Sequence, residues 1–174
     1  MADTKRLFFA LWPDDTIRNE ISQTFLCSAY SKAEGQRYNF QNLHLTLHFL
    51  GNASEEQYSC FLEAAEKVKF TEFTLSLDKF SVFEKAKVFW LGVSDIPAEL
   101  KQLHYELGEV LTHCGYKGDD RIYTPHVTLM RKIKHFVVEK KAREVSWPIS
   151  QFALVESVTE NGAILYKPVK FYNT

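Results

Sequence analysis

The 174-residue chain is 45% apolar, enough to fill the core of one domain or of two small lobes that share one, which excludes an intrinsically disordered chain. Its formal net charge of −1 excludes a protein that coats nucleic acid through a broad positive surface, because such binding rests on many phosphate contacts. A small nucleic-acid end is not excluded.

In chain order, Arg6 to Leu11 reads as a strand, and Pro13-Asp14-Asp15-Thr16 opens a helix to about Ser28, its acids suiting the positive end of the helix dipole. The apolar run from Leu7 to Trp12 is too short for a signal peptide, and no stretch reaches membrane-spanning length. A polar loop, Ser31 to Gln41, leads to a strand over Leu43 to Leu50, closed by Gly51-Asn52. Ser54-Glu55-Glu56-Gln57 is a capping box for a helix to about Lys69. Strands over Phe73 to Phe83 and Lys87 to Val93 flank Glu84-Lys85-Ala86, a hairpin connection. Pro97 to Cys114 is a third helix, with Leu100, Leu103, Leu107 and Leu111 at helical spacing. Ile122 to Met130 is a strand and 131–144 is irregular or briefly helical. Gln151 to Val158 and Ala163 to Phe171 form a last hairpin across Glu160-Asn161-Gly162, with Pro168 placing the final strand at an edge. Cysteines 27, 60 and 114 show no Cys-x-x-Cys spacing. They are expected as reduced thiols, Cys60 and Cys114 buried, in a cytoplasmic protein.

Two of these strands carry the same pattern, His-apolar-Thr-apolar: His44-Leu45-Thr46-Leu47 and His126-Val127-Thr128-Leu129. In a strand, residues i and i+2 share a face about 7 Å apart, so each copy offers an imidazole beside a hydroxyl. Two such strands on one pocket supply one histidine to take a proton and another to give one, which is what displacement at phosphorus needs. The threonine hydroxyls can donate to phosphate oxygens. From Arg121 to Arg143 seven Lys or Arg face one acid, Glu139. Arg131 follows the second pattern directly, but strict alternation puts it on the face of Val127 and Leu129; it reaches the pocket only if the strand ends or bulges near Met130. The rhythm of helices and strands nearly repeats between the halves. The expected fold is therefore α+β, with two pseudo-symmetric lobes of antiparallel sheet and outer helices around a central groove, residues 1–174 forming one bilobal unit.

The flanks Asn42-Leu43-His44-Leu45-Thr46-Leu47-His48-Phe49-Leu50-Gly51 and Pro125-His126-Val127-Thr128-Leu129-Met130-Arg131, with the opening Arg6-Leu7-Phe8-Phe9-Ala10-Leu11, resemble the bacterial RNA 2',3'-cyclic phosphodiesterases. That family was formerly named for 2'-5' RNA ligase activity and belongs to the 2H phosphoesterase superfamily. The resemblance spans nearly the whole chain. It implies hydrolysis of RNA 2',3'-cyclic phosphate ends to 2'-phosphates without a metal or other cofactor, His44 as proton donor to O3', His126 as proton acceptor from water, and Arg131 beside the phosphate. The family's older name implies 2'-5' ligation as well, which results when a 5'-hydroxyl replaces water and O3' still leaves.

The residues alone leave the acid and base assignment open, and they admit a non-catalytic RNA-end or nucleotide-binding module on the same fold. Two matched histidines argue for turnover, since binding needs no acid and base. A metal-dependent hydrolase lacks clustered carboxylates and a His-Glu-x-x-His pattern. His48 shares the nominal face of His44 about 13 Å away, too far to share an ion, and reads as a rim residue. His104, His113 and His135 read as structural or solvated. Tyr38, Phe40, Phe49 and Tyr123 are core by default, with base stacking as the alternative. Arg37 either reaches the phosphate or faces water.

Overall fold

The computed structural model describes residues 4–135 and 141–174; the central part of the irregular stretch expected over 131–144 lies outside them. The described strands are β1 (Lys5–Leu11), β2 (Gln36–Arg37), β3 (Leu45–Ala53), β4 (Phe73–Leu77), β5 (Lys79–Phe83), β6 (Val88–Gly92), β7 (His126–Arg131), β8 (Val145–Ile149), β9 (Gln151–Glu160) and β10 (Ala163–Asn173). The described α-helices are α1 (Asp15–Leu26), α2 (Glu55–Ala65) and α3 (Ala98–Thr112). Local chemistry sets the helix starts. Asp14 accepts the Ile17 N–H at 2.9 Å, and Ser54 and Gln57 cap each other reciprocally.

The main sheet runs β10-β9-β1-β3-β7-β6-β5, with β2 added against β7, and β4 pairs separately with β8. All pairings are antiparallel. The two halves meet where β3 pairs β7 at Leu45 and Val127. On one side stands β1–α1–β3 and on the other β6–α3–β7, so each motif strand follows a helix and pairs with the strand before it. The expected twofold organisation thus takes the form of one continuous sheet.

One face of that sheet is covered by helices. Leu7, Phe9 and Leu11 of β1, Leu45 and Leu47 of β3, and Val127 and Leu129 of β7 pack with Ile21 of α1, Phe61 of α2 and Leu103 and Leu107 of α3. Truncating a fully buried leucine in this layer to alanine costs about 2–5 kcal/mol. The opposite face carries a small cluster, Phe8, Ala10, Ala153 and Val155, with Trp12 and Tyr166 against it. Burial on both sides explains why β1 reads as an unbroken apolar run rather than an alternating one.

Three expectations change. Phe73 to Phe83 is two strands broken at Asp78, because β4 pairs β8 while β5 pairs β6; β8 itself, with Pro148 inside it, was not anticipated. The second motif strand begins at His126, and 122–125 is irregular. Cys60 and Cys114 form a disulfide with Cα atoms 5.7 Å apart. Packing of α2 against the end of α3 brings together two thiols 54 residues apart, a proximity that spacing could not reveal. The final hairpin is as expected: Asn161 and Gly162 turn at positive φ, and β10, with Pro168, is an edge strand.

Candidate active site

The pairing of Leu45 with Val127 decides how the two motifs meet. Extending this antiparallel register by one residue sets His44 across from Thr128 and Thr46 across from His126, on the face opposite the two buried apolar residues. Each imidazole therefore has one hydroxyl beside it on its own strand and another across the strand boundary.

Both histidines are oriented in the same way. The Nδ1 of His44 lies 2.6 Å from the Asn42 carbonyl, and that of His126 lies 2.7 Å from the Thr124 carbonyl. A carbonyl only accepts, so Nδ1 carries the proton in each ring and Nε2 is left for chemistry. Nε2 of His44 is 2.9 Å from Thr46 Oγ1. Asn42 is itself fixed: its side chain donates to the Ile164 carbonyl at 2.8 Å and accepts the Tyr166 N–H at 3.0 Å. The last hairpin thereby holds the turn that orients His44.

Aromatic walls enclose the imidazoles. Phe8, Tyr166 and Trp12 stand around His44 with ring centroids at 4.8, 5.2 and 6.1 Å. Phe83 and Trp90 stand around His126 at 4.9 and 5.8 Å. Burial pushes His44 down to about 4, opposed by the Asn42 carbonyl and reinforced by His126, Arg131 and Arg18. Burial also lowers His126, against the pull of the Thr124 carbonyl, and Arg131 adds to the lowering. Both rings are thus held neutral until negative charge arrives.

Arg131 reaches this face through a bulge. Trp90 pairs with Thr128 but Phe89 with Met130, so Leu129 is an extra residue in β7 and parity inverts beyond it. Met130 turns into the core, 1% exposed, and Arg131 lines the groove with Thr46, His126 and Thr128. Its guanidinium lies 5.4 Å from the Tyr38 ring, and Tyr38 donates to the Tyr166 hydroxyl at 3.2 Å.

The first motif has the equivalent bulge. Ala10 pairs with Thr46 and Phe9 with His48, leaving Leu47 extra. This corrects the expectation of His48 as a rim residue: it borders the groove but is 7% exposed, with Nδ1 3.1 Å from the Tyr116 hydroxyl and Nε2 2.7 Å from the His104 carbonyl. His104 stacks on His48 and on Tyr123, whose hydroxyl donates to the Thr46 carbonyl at 3.2 Å. Tyr123 thus braces the two motifs instead of offering a free stacking face. Arg37 donates to the Ser31 carbonyl at 2.7 Å, and Phe49 is half-exposed under Arg6. Among the described residues, no group of three or more His, Cys, Asp or Glu is placed to hold a metal ion.

The 2'-5' RNA ligase superfamily model matches residues 13–161. The chain belongs to that superfamily. An RNA 2',3'-cyclic phosphodiesterase of Escherichia coli strain K12 is 30% identical over 171 residues, 98% of this chain and 97% of the relative. One from Archaeoglobus fulgidus is 28% identical and covers 96% of this chain, with 99% of its own length matched. The crystal structure of E. coli LigT in apo form has a TM-score of 0.89 at 30% identity, covering 98% of each chain. A Thermus thermophilus protein, TT0787, at 22% identity and a TM-score of 0.80 over 97% of each chain, shares the fold. The antiparallel α+β architecture built around the two motifs is thus the superfamily's own.

The aromatic walls and the two carbonyls were not anticipated. The carbonyls left no trace, since any residue supplies one. Trp12 left a weak one, as the first residue after a buried strand.

Proposed function

We propose that this chain is a phosphodiesterase that opens 2',3'-cyclic phosphates at RNA ends to 2'-phosphates, using two histidines and no metal. The observation that carries the reading is the register at Leu45 and Val127, which sets two His–Thr pairs diagonally on one face. The names of the E. coli and A. fulgidus relatives support the substrate class. A crystal structure of E. coli LigT complexed with 3'-AMP, which matches this chain with a TM-score of 0.89, supports it too.

In this reading water attacks phosphorus while His126 accepts its proton at Nε2. The P–O3' bond breaks and His44 gives its Nε2 proton to O3', leaving a 3'-hydroxyl and a 2'-phosphate. Thr46, Thr128 and Arg131 bind the non-bridging oxygens, where fixed donors stabilise charge developing in the transition state. A buried imidazolium is a stronger acid than one in water, which suits His44 to protonating an alkoxide. It is populated only when the phosphate anion supplies the opposing charge. If a 5'-hydroxyl takes the place of water, the P–O3' bond still breaks, His44 still protonates O3', and a 2'-5' linkage results.

The Cys60–Cys114 disulfide removes the cysteine argument for a reducing compartment. The cytoplasmic reading then rests only on the proposed RNA substrate. Among the described residues no helix is long and apolar enough to cross a membrane.

The deciding experiment is product analysis on an oligonucleotide bearing a terminal 2',3'-cyclic phosphate, with and without excess EDTA. The expected product is the 2'-phosphate at an unchanged rate in chelator. A 3'-phosphate would make O2' the leaving group, and activity lost in EDTA and restored by a divalent ion would replace the two-histidine mechanism with metal catalysis.

A further inference from the structure

The groove lined by Thr46, His126, Thr128 and Arg131 extends well beyond them. Its volume is about 1480 Å³, against roughly 300–1,000 Å³ for a site that takes one small ligand. From Thr46, His126, Thr128 and Arg131 it continues along the β5–β6 turn at 84–86, the loop over 117–124 and the side of α3 that carries His104, Tyr105 and Gly108.

Two large apolar side chains line this extension yet stand in solvent: Ile122, 93% exposed, and Tyr105 on α3, 65% exposed. Single exposed apolar residues are ordinary on any surface, but these two share one groove with the reacting face. Ile122 lies four residues before His126 and lines the same groove. The extension has little free positive charge for a phosphate backbone. Arg121 is tied to Asp119, its Nε donating at 2.9 Å, and Lys85 and Lys117 are offset by Glu84 and Asp120 along the same lining. An uncharged planar group is the chemistry such a wall recognises, and an unstacked nucleobase is the one that an RNA end presents.

We infer that this extension is a subsite for the base of the penultimate nucleotide, so that the chain acts on oligonucleotide ends in preference to cyclic mononucleotides. The inference rests on the RNA-end reading above. It adds what that reading leaves open, which is how much of the strand is recognised and by what. An RNA strand must leave the reacting phosphate on its 5' side, and the groove gives the next nucleotide a place continuous with that phosphate.

The test measures affinity by calorimetry for adenosine 2'-monophosphate, for a diadenosine dinucleotide ending in the same 2'-phosphate, and for that dinucleotide made abasic at the penultimate position. The dinucleotide is expected to bind tighter than the mononucleotide by at least about fivefold, the lower end of what one stacked base contributes. The abasic ligand should lose that gain, and so should the double variant Ile122→Ser with Tyr105→Ala, its affinity for the mononucleotide unchanged. Equal affinities for mono- and dinucleotide would overturn the subsite. So would a gain that survives in the abasic ligand or in the double variant. The matching cyclic phosphates are then assayed for turnover. If none is hydrolysed the phosphodiesterase reading falls, while the affinities still decide the subsite.

Discussion

His44 and His126 have the same hydrogen-bonding plan and different electrostatic surroundings. Truncating either to alanine is expected to lower turnover by about 10² to 10⁴, the usual worth of one acid or base group, with thermal unfolding near that of the parent. A substrate with a better 3' leaving group needs less acid, so it should rescue His44→Ala far more than His126→Ala; the opposite rescue would exchange the roles. Because both imidazoles lie below their ordinary value, the bell of kcat/KM against pH should centre below about pH 6.5. The kcat profile should be shifted upward from it, since bound phosphate raises both groups. A kcat/KM optimum near neutrality would contradict the depressed pair. Arg131 belongs to this scale as well. Arg131→Lys keeps charge and loses the planar fork, so a several-fold rise in KM, larger still for Arg131→Ala, is the expected result of steady-state assays. Each histidine was legible with its own threonine because strand periodicity puts the two on one face; that both pairs share a face depends on the β3–β7 pairing. Arg131 was legible only as a condition on a bulge.

The elements position these side chains through irregularities rather than regular strands. A bulge follows each motif threonine by one residue, at Leu47 and at Leu129, and each exchanges the faces of the residues next in its strand, up to a second shift at Leu50 in β3. Alternation therefore placed His44 and Thr46 correctly and His48 wrongly. A register shift depends on the partner strand, which is far away in sequence. Gly92 shows how tightly β6 holds the second motif. It pairs with His126, and a Cβ there would lie 2.6 Å from Trp90 Cζ3 and 2.7 Å from the Pro125 carbonyl oxygen. Gly92→Ala must displace the ring beside His126 or the residue before it. Since a misplacement of about 1 Å can cost on the order of 10²-fold, kcat should drop by about one to two orders of magnitude. Steady-state kinetics on a variant shown by circular dichroism to be folded checks this, and unchanged kcat would mean that the strand absorbs the methyl group without moving His126.

For the whole molecule, the cost of burying neutral imidazoles is a dependence of stability on acid. His44 and His104 are lowered to about 4 by burial, and His48 and His126 are lowered for the same first reason. With folded values below the unfolded value of about 6.5, the unfolded chain binds more protons in between. Stability is then complete above about pH 6.5 and declines as pH falls toward about 4. Denaturant unfolding from about pH 7 down to about 4 measures it, and a midpoint independent of pH over that window would contradict neutral burial. By itself the sequence determined most of the elements, the helix caps, the last hairpin and the paired motifs, because each rests on periodicity or on side chains a few residues apart. Only the tertiary structure decided the splitting of β4 from β5, the Cys60–Cys114 bond, the inward turn of His48, the aromatic walls and the outward turn of Arg131. Each of those depends on which distant strand or helix lies alongside, and one chain's local pattern carries no record of that neighbour.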